Sequence, residues 1–161
     1  MGSKNQGHTQ RVAQLAQQAG LNSQDTKALY LGALLHDLGK AGILDHVLLK
    51  AGAPSDEEWV WVGTNPRLGH DLALRIPNLP AGTLDVVLYH HERWDGLSSG
   101  VSGARIPTLA QLCCVIDALD AVTNFFHCPQ GCLHTQGRVS IKVCKVTVWP
   151  NLPKRVSYLQ A

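Results

Sequence analysis

The chain has 161 residues, 45% of them apolar and 16% charged, with a formal charge of +2. That length fits one domain with a sizeable core. No apolar run approaches the roughly 20 residues that span a bilayer, and the opening MGSKNQGHTQ has no apolar signal core, so a cytoplasmic location without membrane contact is expected. Five cysteines, an odd number, make no disulfide framework. The charge is uneven: nine basic and 12 acidic residues lie at or before position 123, and five basic and no acidic residues follow it. An acidic body has no general affinity for nucleic-acid polymers.

Val12, Leu15, Ala16 and Ala19 follow helical spacing over 9–20, and Gly20 is a stop signal. Asn22 or Ser23 can cap the next helix, which is expected to run through DTKALYLGALLHDLGK and close at Gly39, with Leu21 as a staple. ILDHVLLK is short and apolar, one or two helical turns. PSDEEW is a helix start with Ser55 as N-cap and Glu58 three residues later; that helix ends near Asn65-Pro66, since proline disfavours helical geometry before it. Further helices fit PRLGHDLALRI and AGTLDVVLYHH. Residues 92–106, rich in glycine and serine, form a loop, and Pro107 opens PTLAQLCCVIDALDAVT from a helix N1 position. The pattern over 1–123 is an all-α bundle of about six helices. Beyond it RVSIKVCKVTVW alternates with period 2 and reads as a short β-like segment, so 124–161 is set apart as an atypical basic tail. Cys128, Cys132 and His134 in that tail match no common structural-zinc spacing.

Polar residues with metal chemistry sit at the ends or on the apolar faces of these helices. His36 and Asp37 end one apolar helix. Helical neighbours point about 100° apart, so the two reach one ion only where the helix lets go. His90 and His91 end another apolar helix. Asp117 lies among Val115, Ile116, Ala118 and Leu119, where a carboxylate is costly unless it is paired or metal-bound. Taken singly, each has a bland reading as a capping or salt-bridged residue. Together they are the parts of a metal site inside a helical bundle.

The order His8, His36-Asp37, Asp117, with the segments HTQRVAQLAQQAGL, LGALLHDLGKAGILDHVLLKAGAPSDEEW, VVLYHHERWDG and GARIPTLAQLCCVIDALDAVT, resembles the HD-GYP subfamily of the HD superfamily of metal-dependent phosphohydrolases over residues 8–123. The resemblance implies the HD helical fold and hydrolysis of cyclic di-GMP, a bacterial second messenger, with iron or manganese as cofactor. It implies two cations bridged by Asp37: one completed by His36, Asp117 and His8, the other held by His90 and His91. A water shared between them would lose a proton near neutral pH and attack phosphorus in line. Lys40, one turn after Asp37, would steady phosphate oxygens, with Arg93 and Asp95 also expected at the substrate. Signalling proteins are the implied partners besides the cyclic dinucleotide.

Four departures qualify that expectation. The Gly-Tyr-Pro that names the subfamily is absent; the loop reads Leu97-Ser98-Ser99-Gly100. The subfamily's histidine before a mid-chain proline, a ligand of the second metal, is replaced by Asn65, a weaker neutral ligand better suited to Mg or Ca than to Fe or Zn. His70 lies five residues along, about 140° around, and is a poor substitute. Lys4 stands where three-metal members carry a glutamate, which excludes a third ion. Beyond DAVT the subfamily's phosphate-binding segment is missing; the tail looks like a different reading frame or an unrelated extension. A catalytically impaired regulatory module, or an HD nucleotidase acting on mononucleotides, is therefore the alternative to an active phosphodiesterase.

Overall fold

The computed structural model describes residues 3–50 and 54–125, with the side chains of 3–6 and 121–125 outside the described set. Seven α-helices run in order: α1 (Ser3–Gln17), α2 (Ser23–Leu35), α3 (Asp45–Leu48), α4 (Asp56–Val62), α5 (Asn65–Ala73), α6 (Ala81–Tyr89) and α7 (Thr108–Phe125). Six have seven residues or more and α3 has a single turn. Among the described residues there is no strand, and no helix is long and apolar enough to cross a membrane. The described residues are all-α, as the periodicity implied. The β-like segment and the cysteine-histidine pattern fall in residues 126–161, outside the described residues.

Local signals set most boundaries. Gly20 takes a left-handed turn at φ 70 and ends the first helical region. The Asn22 side chain accepts the Asp25 amide at 2.9 Å and caps α2. Ser55 and Glu58 form a complete capping box at α4. The apolar stripes of α1, α2, α6 and α7 then meet in one core: Val12, Ala13 and Ala16 pack with Leu29 and Ala33, with Val86, and with Leu112, Cys113 and Ile116. Leu21 lies against this cluster.

Two expected helix ends are corrected. Helix α4 stops at Val62, and Asn65-Pro66, expected near its end, instead opens α5. Nor does the second helix run to Gly39. Regular α-helix stops at Leu35, and the chain tightens into a 3-10 turn at Leu38–Gly42. Close packing accounts for this: a Cβ on Gly39 would sit 2.0 Å from the Asn65 carbonyl oxygen and 2.6 Å from the Gly69 nitrogen. The turn is pressed backbone to backbone against α5, and a continued helix would not fit there. His36 and Asp37 are left in the transition between the two helical forms. Pro107, expected at N1, instead stands one position before α7, its carbonyl accepting the Gln111 amide at 3.1 Å.

Candidate metal centre

The transition after Leu35 places His36 and Asp37 toward one interior point. His36 is 1% exposed, and its Nδ1 donates to the Ala33 carbonyl at 2.7 Å, which leaves Nε2 as the free donor atom. That Nε2 lies 3.4 Å from Asp37 Oδ2 and 3.8 Å from Asp117 Oδ1. His90, at the C-terminal end of α6, repeats the device: it is 1% exposed, and its Nδ1 donates to the Val87 carbonyl at 2.9 Å. The rings of His36 and His90 meet edge to face at 5.2 Å, and those of His90 and His91 lie 4.0 Å apart. His91 faces solvent at the rim.

α1 and α7 close the other side. His8 Nε2 is 3.0 Å from Asp117 Oδ1 and its Nδ1 is 2.7 Å from Asp120 Oδ2. Arg11 grips Asp120 with both ends of its guanidinium, Nε to Oδ1 at 2.7 Å and Nη2 to Oδ2 at 2.9 Å. Arg11 was not anticipated. Its signal lies in the spacing: His8 and Arg11 on α1, and Asp117 and Asp120 on α7, are both three residues apart, so each pair shares a helix face.

Two groups of donor atoms result. His8, His36 and Asp37 form one; Asp37, His90 and His91 form the other; within each, the donor atoms lie within 4.8 Å of one another. Asp37 belongs to both. Asp117 joins the first through its contacts with His8 and His36. Imidazole with carboxylate suits borderline transition ions, and the electrostatics around Asp37 suit a cation. Lys40 Nζ sits on Asp37 Oδ2 at 2.7 Å, an ammonium standing in for positive charge. Burial pushes the Asp37 carboxyl up, but the His36 and Lys40 charges outweigh it and hold the group well below the usual carboxylate range. Burial likewise pushes Asp117 up, and the His8 hydrogen bond overrides it and brings it down. The hydrogen bond to Asp117 lifts His8 above the ordinary imidazole value, against burial and with help from Asp120. Burial drives His90 well below that value, reinforced by His91 and His36. His90 is thus a neutral imidazole at pH 7, the form that ligates metal.

Other anticipated residues fall elsewhere. Arg93 and Asp95 pair with each other in the turn after His91, through Arg93 Nε to Asp95 Oδ1 at 2.9 Å and a second contact from Nη2 to Oδ2. That pairing holds the Asp95 carboxyl down to about 2. Gly96 at φ 78 makes the Asp-Gly turn. Glu92 accepts the Ser99 amide at 3.3 Å, within the same loop. His70 belongs to neither donor group; its ring lies 3.7 Å from Asp71. Asn65 is buried beside Asp37 and His90. The side chain of Lys4 lies outside the described side chains.

A helical bundle that gathers histidines and aspartates around one shared carboxylate has the donor atoms of a metal-binding domain. Residues 6–122 match the family model described as HD domain, and the chain belongs to that family. HD domains bind divalent metals, and the two clusters here can hold one.

The chain is 37% identical over 114 residues to the cyclic di-GMP phosphodiesterase response regulator RpfG of Xanthomonas campestris pv. campestris, covering 68% of this chain and 30% of that protein. It is 40% identical over 105 residues to a cyclic di-GMP phosphodiesterase of Vibrio cholerae, covering 60% and 21%. It is 31% identical over 126 residues to the 3'3'-cGAMP-specific phosphodiesterase 1 of the same organism, covering 73% and 28%. The chain thus spans about a fifth to a third of the length of these relatives.

Proposed function

We propose that this domain is a phosphodiesterase that hydrolyses a cyclic dinucleotide, with cyclic di-GMP as the substrate, in bacterial second-messenger signalling in the cytoplasm. The observation that carries the reading is the sharing of Asp37 by two donor groups, one completed by His8, His36 and Asp117, the other by His90 and His91. Two ions, iron or manganese, fit those sets of imidazole and carboxylate. When bound, they supply a nucleophile from water at neutral pH and neutralise charge on the phosphate. His36 and His90 are locked in orientation by backbone carbonyls, so their Nε2 atoms are presented without a search over rotamers. Asp120 does the same for His8 from its Nδ1 side. Lys40, which pairs with Asp37, would stand as a cation at the site edge when Asp37 holds metal, where it can meet a phosphate oxygen. Arg93 and Asp95 border the substrate from the loop after His91.

The names of the relatives support a cyclic dinucleotide, and both cyclic di-GMP and 3'3'-cGAMP occur among them. Asn65, an amide in the histidine-rich site, favours a second reading: an impaired module that binds such a nucleotide without turnover. Purified chain loaded with Mn2+ separates the two. The enzyme holds about two ions per chain and cleaves cyclic di-GMP or bis-p-nitrophenyl phosphate, and Asp37→Ala abolishes cleavage. Two bound ions with no cleavage of any cyclic dinucleotide, alongside calorimetric binding of one, would select the module.

A further inference from the structure

Asn65 is 1% exposed, and the fold treats the two ends of its amide differently. Nδ2 faces the metal centre: it lies 3.4 Å from Asp37 Oδ1, 3.5 Å from His90 Nε2 and 3.4 Å from the His36 carbonyl. All three contacts are longer than the usual N–H···O distance of about 2.9–3.0 Å. Oδ1 is buried with no hydrogen-bond partner. An orphaned buried acceptor costs on the order of 1–3 kcal/mol, so the ion-free arrangement satisfies neither end of this side chain well. Rotation about the Cβ–Cγ bond exchanges the two ends. The oxygen then takes the place of Nδ2 beside Asp37 Oδ1 and His90 Nε2. Those separations are close to the spacing of neighbouring donors on one ion, roughly 3.0–3.4 Å for bonds of about 2.1 Å. The backbone is already fixed for this, because Gly39 packs directly on the Asn65 carbonyl and admits no side chain between them.

We propose that Asn65 Oδ1 is a ligand of the ion held by Asp37, His90 and His91, and that this neutral oxygen turns the second site toward oxygen-preferring ions, Mn2+ and Mg2+, and away from Zn2+. The site then offers two imidazole nitrogens, one carboxylate oxygen and one amide oxygen. An amide oxygen in place of a third nitrogen donor costs Zn2+ more than Mn2+, which binds oxygen readily. The inference rests on the two-ion reading and assigns a residue and a selectivity within it.

Titration of Mn2+ into metal-free protein, followed by electron paramagnetic resonance, counts the tight sites, and competition with Zn2+ measures preference at each. Wild type is expected to hold two Mn2+. Asn65→Ala is expected to keep the first and bind the second at least tenfold more weakly. Asn65→Asp, nearly identical in shape, tightens the second site, and Asn65→His shifts its preference toward Zn2+ at least tenfold. Equal binding of the second Mn2+ by wild type and Asn65→Ala overturns the proposal. If the alanine variant does not fold, an aspartate variant with no gain in affinity overturns it equally. Wild type holding fewer than two ions strikes the two-ion reading itself, a result visible before any variant is made.

Discussion

His8 is clasped between two carboxylates of one helix, Asp117 at 3.0 Å from Nε2 and Asp120 at 2.7 Å from Nδ1. Both ring nitrogens face acceptors, so the ion-free ring satisfies both only as the doubly protonated imidazolium, consistent with its raised pKa. A cation bound at Nε2 would displace the proton there, while Nδ1 keeps its proton and donates it to Asp120. Metal binding is therefore expected to release a proton over the pH range below the raised His8 value, and affinity is expected to fall as the pH drops there. Calorimetric titration of Mn2+ in buffers of different ionisation enthalpy measures the released proton directly. No proton release would mean that His8 is not a ligand.

Asp120 reaches the donor group through His8 and is itself gripped by Arg11. Asp120→Asn keeps the shape but removes the charge that orients His8 and anchors Arg11. Loss of such an orienting carboxylate typically weakens metal affinity by about 10–100-fold. The first-site dissociation constant is expected to rise in that range, with the second site changed less.

His90 is buried as a neutral ring with its pKa well depressed. In the metal-free protein the unfolded chain takes up a proton below about pH 6.5 that the folded chain refuses. Stability contributed by this group is thus full above that value and is lost as the pH falls, by up to about 1.4 kcal/mol per pH unit for one proton. Denaturant unfolding of chelator-treated protein between pH 7 and pH 5 is expected to show this decline, and His90→Gln should flatten it. An unchanged slope in that variant would count against the assignment.

Gly39→Ala tests the close approach that builds the site. The new methyl would meet the Asn65 carbonyl oxygen at 2.0 Å, with backbone on both sides. Overpacking of this kind costs roughly 1–3 kcal/mol, occasionally more, or a fall in Tm of at least several degrees for a domain of this size. Metal content is expected to fall with it, since Asp37 and Asn65 are parted. Leu29→Ala, a fully buried core position away from the donors, should cost about 2–5 kcal/mol and yet leave the folded protein able to bind both ions. A parallel loss of metal in the two variants would show that general stability, not local geometry, controls the site.

Lys40→Met separates two roles. Lys40 neutralises Asp37 in the ion-free protein, so its removal leaves that carboxylate seeking a cation and should not weaken ion binding. As the cation that meets substrate phosphate, its loss should lower turnover by about 10²-fold or more. Weaker Mn2+ binding by the methionine variant would rule out this division of labour.

Much of this arrangement was legible in the sequence, for reasons that differ by residue. Gly20, Asn22 and the Ser55-Glu58 box announce helix ends through chemistry within three residues, and the structure uses each as written. The convergence of His8, His36, Asp37, His90, His91 and Asp117 was anticipated because titratable groups on apolar helical faces need partners, and the resemblance supplied their order. The end of α2 was missed because its cause is distant: Gly39 meets Asn65 across 26 positions, and no local propensity encodes that contact. Arg11 was missed for the same reason. Its partner Asp120 lies 109 residues away, and its place three residues after His8 gains meaning only when α7 is laid beside α1.

The first donor group draws on His8, near the start of the described chain, and is joined by Asp117, near its close. A cation there would work as a buckle, tying α1 to α7 across the 109 positions from His8 to Asp117. Without it the His8–Asp117 and Arg11–Asp120 contacts and the shared core still join the two helices, but less tightly, so α1 is expected to loosen first. Metal binding and the shut form of the bundle would then be one condition, and starving the protein of metal is expected to unfasten it.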